Sequence, residues 1–111
     1  NTEEPTLVFS IILNQVNDEA YIFLEPNFED LPIRLKWLVP EKNQEGEITF
    51  EGGDKFAHFE FAQQITPLLI DNATFEVWQI DNWEPLWADE KEKNAVMVTI
   101  EDYQKLIGKT K

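Results

Sequence analysis

Few side chains in this sequence have the types and spacing that covalent or acid–base chemistry requires. There is one histidine, His58, and no cysteine. Imidazole catalysis needs a positioned partner. None is legible around His58, which sits between Ala57 and Phe59, so a partly buried structural histidine is expected. Ser10 is the only serine. It lies inside an apolar run with no nucleophile-elbow motif around it, which argues against a serine nucleophile. Gly52-Gly53 is too short for a phosphate loop and lacks the Lys-Ser/Thr that would follow one. Without cysteine, disulfides, Cys-ligated zinc and thiol nucleophiles are excluded. Asp71, Asp81, Asp89 and Glu90 lack EF-hand spacing, and a glycosidase pair is defined by a distance the sequence does not hold. The expectation is a protein that is not an enzyme and takes no metal and no cofactor.

The richest remaining stretch runs from Thr74 to Trp87 and holds three of the four tryptophans, Trp78, Trp83 and Trp87. Past Ile80, aromatic and acidic residues alternate. Asp81, Trp83, Glu84, Trp87, Asp89 and Glu90 form the candidate protein-binding set. Tryptophan is enriched among residues that anchor interfaces, an acidic rim steers a basic partner, and Pro85 stiffens the segment. The competing expectation is that Trp83 and Trp87 fold back over the sheet, because large aromatics usually find burial.

Charge bounds the partner. The 22 acidic residues exceed the 9 basic ones and give a net charge of −13. That charge disfavours direct binding to nucleic acid or anionic lipid and favours a basic protein, although acidity also serves plain solubility. A non-catalytic acidic binding protein is therefore expected, one that inhibits a basic partner in the way an immunity protein neutralises a toxin or nuclease. Two alternatives stand beside it. One is a nucleic-acid mimic, with carboxylates imitating phosphates. The other is a small-molecule-binding domain or enzyme with its pocket between helix and sheet, near His58, Trp37 and Trp78. The apolar runs fall far short of the roughly 20 residues a membrane helix needs. No signal peptide is visible, and a cytoplasmic location is expected.

The elements that must position these residues follow from periodicity. At 111 residues the chain makes one small domain, 1–111. Residues 6–14 and 20–25 are nearly continuous apolar runs, read as a central hairpin of strands buried on both faces. Residues 33–39 alternate, with Ile33, Leu35, Trp37 and Val39 on one face and Arg34 and Lys36 on the other. Residues 47–51 alternate again, and Glu47 and Glu51 can face the two cations across a hairpin. Asp54 is a plausible cap for a helix over 55–66, ended by Pro67, with Phe56, Phe59, Ala62, Ile65 and Leu69 as its stripe. Residues 74–80 read as a strand, 81–94 as a long acidic loop, 95–99 as the last strand and 100–107 as a helix capped by Thr99. The order β-β-β-β-α-β-β-α lacks regular βα alternation. It points to an α+β fold, a mainly antiparallel sheet of five to six strands packed against one or two helices. No family motif is legible in these residues, and the oligomeric state is not set by them.

Overall fold

The computed structural model describes residues 5–28 and 31–108. Six strands and two long helices follow in the order β1 (Leu7–Asn14), β2 (Glu19–Pro26), β3 (Ile33–Val39), β4 (Gln44–Phe50), α1 (Lys55–Ile70), β5 (Thr74–Gln79), β6 (Asn82–Leu86) and α2 (Glu90–Gly108). All strand pairing is antiparallel. The fold is α+β, in the expected order. The strands form two sheets, a β1-β2 hairpin and a four-stranded sheet of order β4-β3-β5-β6.

Local chemistry explains most of these elements. The Asp54 carboxylate accepts from the backbone N–H groups of Phe56 and Ala57, which satisfies two orphan donors of α1. Ile33, Leu35 and Val39 of β3 alternate inward with Phe75 and Val77 of β5, and all five are buried. Arg34 and Lys36 take the opposite face, as period-two alternation requires. Position 46 must be glycine, because a Cβ there would lie 2.7 Å from the Trp37 ring carbon Cζ2.

Four expectations need correction. The first hairpin is not buried on both faces. Leu7, Phe9, Ile22 and Leu24 are buried, while Val8 is 50 % and Ile12 47 % exposed. The helices pack against β1 and β2 from one side, so only alternate residues are covered. Helix α1 does not stop before Pro67 but runs through it. Pro67 and Gln63 are both exposed, so the carbonyl that loses its i+4 donor can turn to water. The buried stripe of α1 is Phe61, Ala62, Ile65 and Leu69; Phe56 points to solvent and Phe59 is half-buried.

The last correction concerns the acidic segment. Residues 81–94 are not a loop, and 95–99 are not a strand. The sixth strand is β6, a short turn over residues 87–89 follows it, and α2 takes in everything from Glu90 to Gly108. Pro85 is tolerated because β6 is an edge strand, where a missing N–H interrupts no inner ladder. Asp89 rather than Thr99 caps α2: its carboxylate accepts from Lys91 N at 3.0 Å, and its carbonyl accepts from Glu92 N and Lys93 N. Val96, Ile100 and Tyr103 are buried at steps of four and three. That helical stripe overrides the β-branched composition of 95–99.

One contiguous core joins both sheets and both helices. Long-range hydrogen bonds tie the hairpin to the rest of the fold, two of them from core side chains. Trp87 Nε1 donates to the Leu7 carbonyl at 2.7 Å, and the Tyr103 hydroxyl donates to the Ala20 carbonyl at 3.1 Å.

Candidate functional site

Among the described residues, the helices make their main contacts with the β1-β2 hairpin and not with the four-stranded sheet, whose outer face carries Arg34, Lys36, Trp78 and Trp83. Register places Lys36 between Glu47 of β4 and Glu76 of β5, and sets Trp78 opposite Trp83 on β6. The two indoles meet edge to face with centroids 5.3 Å apart. The Arg34 guanidinium lies 5.5 Å from the Trp78 ring centroid and 5.3 Å from that of Trp83. Lys36 Nζ stands 4.4 Å over the Trp83 ring. Both cations therefore lie at cation–π distance of an indole.

Glu47 fixes this cluster from the other side. Arg34 donates to it twice, Nε to Oε2 at 2.9 Å and Nη2 to Oε1 at 3.4 Å. That fork holds the Glu47 carboxyl below the usual carboxylate range and the Arg34 guanidinium above its own. The expected pairing of Glu47 with the β3 cations is thus present, and Glu51 lies beyond the end of β4.

The tip of the β5–β6 hairpin continues this face. Gln79 and Asn82 pair across it, leaving Ile80 and Asp81 as the turn. Ile80 has φ +50° and is 87 % exposed. A β-branched residue in the left-handed region is a sterically disfavoured exception. Asp81 N donates to the Gln79 carbonyl across it. Asp81 is exposed, and the half-buried Glu84 carboxylate accepts from Asn82 Nδ2.

The structure divides the sequence-predicted set in two. Asp81, Trp83 and Glu84 share the β5–β6 hairpin. Trp87, Asp89 and Glu90 belong to the turn after β6 and the start of α2. Trp87 is 2 % exposed, packs edge to face on Phe75 at 5.1 Å and donates its N–H internally, so it serves the core. Asp89 is occupied as a cap, and Glu90 is exposed in the first turn. The sequence reading passed over Ile80, Trp78 and the cations as parts of this surface. Alternation did place Arg34 and Lys36 on the outer face. Only the register could show that Trp83 lies beside them.

The other candidates scatter. His58 Nδ1 accepts from the free-edge N–H of Leu24 at 3.0 Å, and its ring packs 4.9 Å from those of Phe23 and Phe50. Burial pushes its pKa below the ordinary histidine value, with Asp54 and the Gly53 backbone opposing. It lines a cavity with Leu24, Phe28 and Phe50, whereas Trp37 lines a different one and Trp78 lies on the outer sheet face. Those three residues do not meet in one pocket. Among the described residues no group of His, Asp and Glu side chains is arranged to hold a metal, and no helix is long and apolar enough to cross a membrane.

Fold and surface together define a small acidic α+β domain with an open, tryptophan-bearing sheet face. In comparisons with known proteins, no family model, no curated protein and no solved structure matches the chain.

Proposed function

We propose that this chain is a non-catalytic binding protein that engages and inhibits a basic protein, as an immunity protein does with a toxin or nuclease. The observation that carries the reading is the β5–β6 hairpin tip. Ile80 is held in a disfavoured backbone conformation and left in water beside Asp81 at the tip that leads into Trp83; Glu84, opposite Val77, borders the same hairpin from its other face. Strain and apolar exposure both cost stability, and such costs gather where a surface has a job to do. The cations beneath Trp83 do not reverse the sign of the face. Arg34 is neutralised by Glu47, and Lys36 is flanked by Glu47 and Glu76. Among the described residues only Glu19, Glu47 and Asp71 are engaged in ion pairs, which leaves the remaining carboxylates to attract a cationic partner.

Trp83 supplies the anchor. Its contacts with Trp78, Arg34 and Lys36 fix the ring before any partner arrives, which lowers the ordering cost of association. The test is affinity capture at low salt from the native host, run in parallel with wild-type protein, Trp83→Ala and the double variant Asp81→Asn/Glu84→Gln. The reading expects a basic protein that wild type retains, that salt elutes and that both variants lose. Capture that ignores both variants, or only acidic proteins on the column, would contradict it.

A further inference from the structure

Lys93 sits against two physical preferences at once. It is 8 % exposed, the only charged residue among the buried ones described. It also lies in the first turns of α2, at the end of the helix dipole that disfavours a cation. An ammonium has three donors, yet the hydrogen bond it makes is a long one, to Asn72 Oδ1 at 3.4 Å. None of the ion pairs among the described residues uses it. A buried ammonium with so little compensation is costly unless something else completes its shell.

Lys93 lines a cleft of about 540 Å³ between the end of the four-stranded sheet and the start of α2. Trp37, Phe75, Leu86 and Trp87 give that cleft an aromatic and aliphatic lining. The Trp37 indole is half-buried against Gly46, and its N–H makes no hydrogen bond among the described residues. The cleft thus combines an under-paired cation with an aromatic and aliphatic lining, the makeup of a small-molecule site. Lys36, Glu45 and Glu76 also line it; Lys36 is flanked by Glu76 and by Glu47, and the carboxylates would repel a ligand of several negative charges.

We propose that the cleft binds a small organic monocarboxylate, with its carboxylate on the Lys93 ammonium and its apolar body against the Trp37 side of the lining. Trp83 does not line this cleft, but Lys36, which stands over the Trp83 ring, does, so the cleft adjoins the partner surface and is tested through Lys93 with Trp83 in place.

The test is a titration of the whole protein followed by the indole N–H resonances, with benzoate as probe and benzamide as its neutral counterpart. Benzoate is expected to move the Trp37 N–H signal saturably in the millimolar range, and benzamide to bind about tenfold more weakly. Lys93→Met keeps the length and apolar stem of the side chain and is expected to erase the preference for benzoate. It is also expected to melt no lower than wild type, because the buried charge is gone. A Trp37 signal that benzoate does not move, an equal response to both probes, or an undiminished preference in Lys93→Met would overturn the proposal. Should Lys93→Met fail to fold, the comparison of the two probes on wild type decides alone.

Discussion

Replacing Trp87 removes a buried ring and, with it, the N–H that satisfies the Leu7 carbonyl. Trp87→Ala is expected to cost about 3–5 kcal/mol in chemical denaturation, the range for deleting a core aromatic. Trp83→Ala removes an edge-to-face contact and two cation–π contacts at a half-exposed site, so a loss of about 1 kcal/mol is expected. Equal losses would mean that both rings are core. His58 makes a pH prediction. Its folded pKa lies below the ordinary value because of burial, and protonation would also remove the Nδ1 acceptor that holds Leu24 N–H. The unfolded chain then binds the proton more readily than the native one. This contribution is therefore fully present above the unfolded histidine pKa of about 6.5. It is lost as pH falls from there through the lowered folded value. Melts of wild type and His58→Asn across that window should converge as pH drops; parallel curves would show that His58 is not protected.

Each element tests how sequence and context compete. The β5–β6 turn holds Ile80 at φ +50°. Ile80→Gly removes the Cβ clash of the left-handed region, so a gain of about 1 kcal/mol in stability is expected, together with weaker partner capture. A melting temperature that falls would show that Ile80 packs in the free protein. The element order was legible because β3 alternates cleanly and Asp54 announces α1. The hidden parts were those where one signal masked another. In residues 95–99 the Val and Thr content masked the stripe of Val96, Ile100 and Tyr103, and Asp89 with Glu92 three residues on was an overlooked capping signature. Pro85 looked like a breaker because edge position is a property of the sheet and not of the segment. The candidate surface was half legible for the same reason. Asp81, Trp83 and Glu84 are neighbours in sequence, whereas Arg34, Lys36 and Glu47 join Trp83 only through register, which also turns Glu84 to the opposite face with Val77.

Across the whole molecule, the charge of −13 acts through repulsion and steering. Ion pairs engage few of the carboxylates described, so repulsion among the rest should weaken the native state at low salt. The melting temperature is expected to rise from low to moderate NaCl as screening takes hold; a fall would show that attraction dominates. The same field governs association. The acidic excess is greater in residues 1–54 than in 55–111, so steering comes from the whole surface while the β5–β6 hairpin supplies the anchor. The most direct measurement is the association and dissociation kinetics of the captured basic protein, over a range of salt, with wild type, Trp83→Ala and Asp81→Asn/Glu84→Gln. The account predicts that Trp83→Ala speeds dissociation and weakens binding by about 2 kcal/mol or more. The carboxylate variant should mainly slow association and flatten its salt dependence. Wild-type kinetics in both variants would contradict the assignment of this face as the binding surface.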